Sequence, residues 1–345
     1  MLNVAQLAER SGDDSIFPVI MAALISAIDT HGDLMRLSVS VPGNEFRLGA
    51  CEAPPAIMST YLGDDMTDYL AAYAAGDTKP YSPSTKMLDM GASVIAPLEV
   101  PAEDRNRTSC FPYGGHRFEF RAVGSAQNVS MVNTVLNTIS ADAFKRFADA
   151  IEGGQSPQEV AQEALKKHSK VIFNGNSYCE DEQKMLTERG VWRLDNAIEA
   201  IGLFDSPKNV KLFSEMKVLE EDECKARKTI MLDHYVGTVE MEVLCMIDMI
   251  NQHVIPSCKN ANVGPLAALE AAVVTLKADL AAIHASDDEM EKAELARVLR
   301  LETMIELRVH CDEAEGVVPA DEWTLATYKE LLFLDQHDSG EDGFM

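Results

Sequence analysis

Three groups of side chains in this sequence have the types and spacing to act on a ligand. The most informative is His116-Arg117-Phe118-Glu119-Phe120-Arg121. Laid out as a strand, its period of two puts Arg117, Glu119 and Arg121 on one face and two phenylalanines on the other. The Phe face belongs against a core. The opposite face presents a carboxylate between two guanidiniums, a combination able to hold a cation and anionic ligand groups together. A solvated sheet face with cross-strand ion pairs fits the same pattern, and one Glu is too few for a metal site. The second group, Arg105-Asn106-Arg107-Thr108-Ser109, sets guanidinium, amide and hydroxyl donors on a loop, suited to phosphate oxygens or to an ordinary surface. The third runs from Asn44 to Pro55, where Arg47 and Glu52 flank a small-residue turn ahead of Pro54-Pro55. A Glu on such a loop either closes over a ligand as a general base or stays solvated.

Other candidates carry less. Asp233-His234 lies within an expected helix from Glu220 to His253, and Met241, Met246 and Met249 are read as core at near-helical spacing. Phe173 to Tyr178 lacks the GxGxxG of a dinucleotide fingerprint. The cysteines at 51, 110, 179, 224, 245, 258 and 311 form no CxxC pair, which suits a reducing compartment and argues against a zinc framework or a thiol nucleophile. No P-loop and no Ser-His-Asp arrangement is recognisable.

The elements that must position these groups divide the chain. Up to about Val129 a helix-like stretch (Ser15 to Asp29) and a strand-like Leu34 to Val41 alternate with Pro- and Gly-rich connections. Beyond Val129 the pattern is helical. Ser156-Pro157-Gln158-Glu159 has the form of a capping box with Pro at the first helical position. Leu266, Leu269, Val273, Leu276, Leu280 and Ile283 repeat at alternating spacings of three and four, a coiled-coil-like seam. After a cap at Ser286 to Glu289, a second helix is expected to present Leu295, Val298, Leu301, Ile305 and Val309, and the pair to fold back as an antiparallel hairpin.

Composition bounds the class. The 345 residues include 30 basic and 56 acidic side chains for a net charge of −26, which disfavours nucleic acid or an anionic membrane as a partner. Of that charge, −12 falls in residues 286–345. The apolar run Ile16 to Ile28 is too short to span a bilayer and lacks a basic leader, so a soluble, cytoplasmic chain is expected.

Taken in order, the three groups are specific. Asn44 to Pro55, Asp104 to Ser109, and Phe118 to Gly124 with Leu136-Asn-Thr-Ile139 together resemble the glutamine synthetases, most closely the type III class. Ile172 to Tyr178, Glu242 to Met249 and Trp323 to Phe333 extend the resemblance over nearly the whole chain. It implies an α+β fold: the C-terminal part of a catalytic domain, an antiparallel sheet with helices, over residues 1–164. A helical type III region with a long antiparallel helix hairpin would follow over residues 165–345. It further implies a ligase that joins ammonia to the γ-carboxylate of glutamate through a γ-glutamyl phosphate, with ATP as co-substrate and Mg²⁺ or Mn²⁺ as cofactor. Glu52 matches the flap glutamate that takes a proton from ammonium. Arg47 and Arg121 match arginines that bind glutamate, Arg107 and Arg117 arginines that hold phosphate, and Glu119 a metal ligand.

There are departures. Phe111-Pro112 stands where other classes have a further arginine soon after the position of Arg107. The family's β-grasp domain, its Gly-rich segment with a metal-binding His, and its remaining metal-ligating carboxylates have no counterpart. The chain is therefore expected to be a truncated form, inactive alone, that does not enter the family's ring-shaped homo-oligomer. Two other readings stand beside it: a non-catalytic paralogue or fragment that docks through its helices on a full-length synthetase, and an acidic helical scaffold.

Overall fold

The computed structural model describes residues 2–3, 16–48, 56–82, 86–88, 91, 96, 98–100, 108–115 and 117–333. It is mostly helical and divides into two compact units, Met1–Met231 and Leu232–Met345.

The first unit is organised on one helix. In chain order it holds β1 (Leu2–Asn3), α1 (Ile16–Leu37), α2 (Pro42–Glu45), α3 (Asp64–Ala74), β2 (Lys86–Leu88), β3 (Leu98–Val100) and β4 (Arg117–Phe118). Then come α4 (Ser130–Glu152), α5 (Pro157–His168), α6 (Glu180–Glu188), α7 (Ala197–Gly202), α8 (Pro207–Glu215) and the start of α9 (Glu221–Met249). Almost every residue of α1 from Ile20 onward is buried, and α4, α5 and α7 pack around it. By length and composition α1 passes for a membrane span, but a helix that is apolar on all sides is also what a core requires, and most of this one is buried inside the unit.

The C-terminal half of α1 also carries charges, and each is met by a specific partner. Asp29 accepts from His168 Nδ1 at 2.6 Å and pairs with Lys170 at 3.2 Å. His31 Nε2 stands 3.0 Å from Asp142 on α4, and Asp33 is held by Lys208 and Asn209 of α8. Buried charges persist only when paired in this way. The helix departs from helical geometry at His31 (φ −126°, ψ 27°). One turn on, Arg36 donates to the Leu194 carbonyl and to Ser40 Oγ, and burial pushes its guanidinium down to about 10. A side chain on Gly32 would meet Trp192 at 2.8 Å, so the bare glycine lets the indole lie against the helix. The strand-like reading of Leu34 to Val41 is thus corrected. Leu34 to Leu37 finish α1, because alternation carries no information where every face is buried.

Strand structure among the described residues is limited to two short antiparallel ladders, β1 with β4 and β2 with β3, rather than the broad sheet expected. Neighbouring segments run alongside through single bridges, Ile57 to Arg193 and Thr60 to Ile172. The helical start at Ser156 forms as read: Ser156 Oγ accepts from the Glu159 N–H, and the Glu159 carboxylate accepts from the Ser156 N–H.

The second unit holds the rest of α9, a π turn (Ile250–Val254), α10 (Ile255–Ala261), α11 (Leu266–Ala285) and α12 (Glu289–Val298). A second π turn (Leu299–Thr303), α13 (Met304–Val317) and α14 (Tyr328–Leu332) complete it. Leu269, Val273, Leu276, Leu280 and Ile283 are buried along α11, which packs against α12, the second π turn and α13. Asp288 caps α12 by accepting from the Glu291 N–H at 2.8 Å. Two expectations fail here. The face of α12 turned inward is Ala293, Ala296 and Leu299, while Ile305 and Val309 are half exposed. Small side chains let α11 and α12 approach closely, so the larger residues flank the contact instead of filling it. Met241 and Met249 are likewise exposed rather than core, since α9 buries Leu232, Tyr235, Val239, Val243 and Ile247 in their place.

Candidate functional site

The site is built on a hairpin. Cys110 to Tyr113 and Arg117 to Arg121 run antiparallel: Glu119 N–H donates to the Pro112 carbonyl (3.1 Å), Arg121 N–H to Cys110 (2.9 Å), and Tyr113 bridges Phe118. Gly115, at φ +81°, takes the turn in a conformation that other residues rarely adopt. On the other side, Thr60 Oγ1 donates to the Phe111 carbonyl and Tyr113 N–H to Tyr61, which anchors the hairpin to the segment before α3. Cys110 is buried with its thiol directed at the Ser59 and Ile57 carbonyls, and burial pushes that thiol up to about 12, well away from nucleophile range.

Alternation then does what the pattern asks. Phe118 is buried, stacked on Phe111 with ring centroids 5.0 Å apart, and Phe120 meets Phe111 edge-on at 6.0 Å. The intervening side chains form one ionic triad. Arg117 Nη2 lies 2.7 Å from Glu119 Oε1, and Arg121 Nη2 lies 3.1 Å from Glu119 Oε2. All three are partly exposed, with Arg121 and Glu119 on the wall of a cavity of about 620 Å³ that Phe111, Phe118, Leu24 and Ile28 also line. Hydrogen bonds from Arg117 and then Arg121 hold the Glu119 carboxyl below the usual carboxylate range. A depressed folded-state value means that the triad contributes its stability above the unfolded value of Glu119 and loses it as pH falls through the folded one. A ¹³C-carboxyl titration should therefore place the Glu119 midpoint below that of an ordinary glutamate, and Arg117→Gln should raise it. A midpoint unchanged by Arg117→Gln would show that the pair is not formed in solution.

Arg47 joins this face from another direction. It follows the one-turn helix α2, and the Arg47 and Leu48 N–H groups both donate to the Asn44 carbonyl. Its guanidinium reaches to 3.7 Å from where a Cβ on Gly124 would stand, three residues past Arg121. Unlike Arg117 and Arg121, the Arg47 side chain meets no ion-pair partner among the described residues. Glu52 and Arg107 lie outside the described residues. Next to Arg107, Thr108 Oγ1 accepts from the Ser177 N–H at 3.0 Å, which ties that loop to the turn at 174–177. Asn174 in the same turn accepts from the Leu62 and Gly63 N–H groups at the start of α3 and donates to Thr67. Asn44, Gly124 and Asn174 were not singled out from the sequence. Gly124 and Asn174 had no signal beyond their place in the family-like wording, because a role in a close approach is invisible without the partner segment.

A divalent cation needs several oxygen ligands. Among the described residues no three His, Cys, Asp or Glu side chains come together, and both Glu119 oxygens are engaged by arginine. These residues alone do not fit such a cation.

A hairpin face of this kind, followed by a long helical run, leads to one family. Residues 157–268 match the glutamine synthetase C-terminal domain. The chain is 33% identical to the type-3 glutamine synthetase of Dictyostelium discoideum, over 96% of this chain and 50% of that protein. It is 27% identical to a glutamine synthetase of Butyrivibrio fibrisolvens, over 96% of this chain and 52% of the relative. A glutamine synthetase of Bacteroides fragilis (strain YCH46) is also 27% identical, over 74% of this chain and 36% of its own length. The chain is similar to glutamine synthetases over most of its length, as the resemblance implied, and spans about half the length of the two relatives that it matches most fully.

Proposed function

We propose that this chain is the C-terminal half of a glutamate–ammonia ligase, residues 1–164 completing its catalytic domain and residues 165–345 forming its helical region. What supports this reading is the joint placement of Arg117, Glu119 and Arg121 on one hairpin face with the Arg47 guanidinium close to Gly124 just beyond it. In the reaction a glutamate γ-carboxylate oxygen attacks the γ-phosphorus of ATP and ADP leaves. Ammonia then attacks the acyl carbon of the γ-glutamyl phosphate and inorganic phosphate leaves. Arg47 and Arg121 would grip the glutamate carboxylates, and Arg117 and Arg107 would meet the charge spread over the transferring phosphoryl oxygens. Glu52 would close over the intermediate, exclude water and take the proton from ammonium. Glu119 would offer one carboxylate to a magnesium or manganese ion only in exchange for an arginine partner, and the other ligands would have to come from the part of the relatives that this chain does not span. We place the protein in the cytoplasm, with ring assembly left to the completed enzyme.

A second reading is a non-catalytic chain that docks on a full-length synthetase through its helices. The exposed Met241 and Leu244 on α9, and Ile305 and Val309 on α13, favour it.

The experiment is to assay ATP-dependent glutamine formation by the chain alone and by the chain joined to the part of the Dictyostelium relative that the match leaves uncovered. The expected result is no product from the first and turnover from the second, with Glu52→Ala abolishing turnover while nucleotide still binds. Robust turnover by the chain alone would refute its incompleteness. Silence from the joined protein would move the weight to the docking reading, and undiminished turnover in the Glu52 variant would remove the base assignment.

A further inference from the structure

We infer that Asn44 is a positioning residue: it clasps the segment that carries Arg47 to the segment that carries Arg121, so that the two guanidiniums meet one amino-acid carboxylate ligand together. The inference rests on the synthetase reading for the identity of that ligand, and on geometry for the clasp.

Asn44 is 1% exposed. Its Nδ2 donates to the Val39 carbonyl at 3.1 Å and to the Ala122 carbonyl at 2.8 Å. Two carbonyl acceptors fix which end of the amide is nitrogen, and one of them is the residue next to Arg121. The backbone of Asn44 meanwhile receives the N–H groups of Arg47 and Leu48. One residue thus touches both arginine-bearing segments, by side chain on one and by main chain on the other.

The approach is close enough to need glycine on both sides. A Cβ on Gly124, whose φ is +67°, would lie 2.4 Å from Asn44 Oδ1, and a Cβ on Gly43 would lie 2.6 Å from the Ala126 Cβ. Gln127 adds a hydrogen bond to the Ser38 carbonyl at 3.0 Å. Among the described residues Asn44 Oδ1 is buried without a hydrogen-bond partner, an arrangement that persists only where the surrounding contacts over-determine it. The Arg47 guanidinium stays beside this clasp, with Nη1 3.7 Å from where a Cβ on Gly124 would stand.

The test uses Asn44→Ala and Gly124→Ala, which open the same contact from opposite sides. Gly190→Ala serves as control, since φ there is +75° but the added methyl meets only the tip of Lys170 at 3.5 Å. In the full chain, hydrogen exchange over residues 42–48 and 119–125 should accelerate roughly tenfold in both variants, the loss expected for a hydrogen bond or two. The control and the peptides of α8 should not change. In the joined protein, KM for L-glutamate should rise about tenfold, with kcat and KM for ATP within twofold of the parent. Unchanged exchange in Asn44→Ala overturns the clasp whatever the activity shows. Accelerated exchange with equal losses in kcat and KM for ATP overturns the positioning role and leaves a merely structural one. If the parent joined protein makes no glutamine, the synthetase reading and the glutamate assignment fail together, and the exchange result alone decides whether the clasp exists.

Discussion

Arg300→Ala is expected to destabilise the unit of residues 232–333 by about 3 kcal/mol, the lower end of what breaking a buried ion pair removes. Arg300 is 4% exposed and meets Glu242 as a fork, Nε to Oε2 at 2.7 Å and Nη2 to Oε1 at 2.9 Å. Its guanidinium also stands 6.0 Å from the ring centre of the fully buried Tyr235. Truncation leaves a carboxylate facing an emptied interior. Glu242 keeps some access to water, which is why the lower end applies. Denaturation followed by hydrogen exchange along α11 reads this unit by itself. The double variant Glu242→Leu, Arg300→Met should recover most of the loss, because removing both charges also removes the desolvation penalty. A loss below about 1 kcal/mol in Arg300→Ala would mean that water already reaches the pair and that it behaves as a surface one.

The second large effect concerns Glu119. In the joined protein, Glu119→Ala should lower glutamine formation by roughly 100-fold or more, the scale on which a single charge-stabilising group is felt at a reaction centre. The Glu119 carboxylate pairs with both Arg117 and Arg121, each two residues away on the same face. Without it the two guanidiniums lose the charge that holds them together on this face. Glu119→Gln separates charge from hydrogen bonding. The amide keeps an acceptor for one arginine but no charge, so it should restore thermal stability to near the parent while leaving turnover as low as in the alanine variant. Turnover within fivefold of the parent in Glu119→Gln would sink the assignment of Glu119 to the reaction.

Legibility in the sequence followed the range of each signal. The capping box at Ser156 and the cap at Asp288 depend on three or four consecutive residues and formed as read. The Phe118, Glu119, Phe120 alternation depends only on extended backbone, and so the triad was readable although regular strand covers just Arg117–Phe118. The family resemblance gave Arg47 a glutamate-binding role, with no signal of which segment it would lie beside. Signals that depend on a distant partner did not show. Leu34 to Val41 alternates like a strand, yet its first half, Leu34 to Leu37, completes a helix packed on all sides and the rest is turn. Asp29, His31 and Asp33 sit in a buried helix because His168, Asp142 and Lys208 reach them from more than a hundred residues away. Ala293 and Ala296 were passed over because a small residue reads as neutral until the helix that lies against it is in view.

The π turns at Ile250–Val254 and Leu299–Thr303 carry a consequence for how this unit can change in length. Each is a helix holding one residue more than its axial rise requires, with the surplus absorbed in a single wide turn. Removing one residue within Leu299–Thr303 would close that turn to ordinary α-helix and leave the buried Ala296 and Ala314, one on either side of it, in their present relative orientation. The same deletion anywhere in α11 would swing all that follows by about 100° and scatter its buried stripe. Among otherwise continuous helices, these two turns are where the chain can lose a residue and keep its faces.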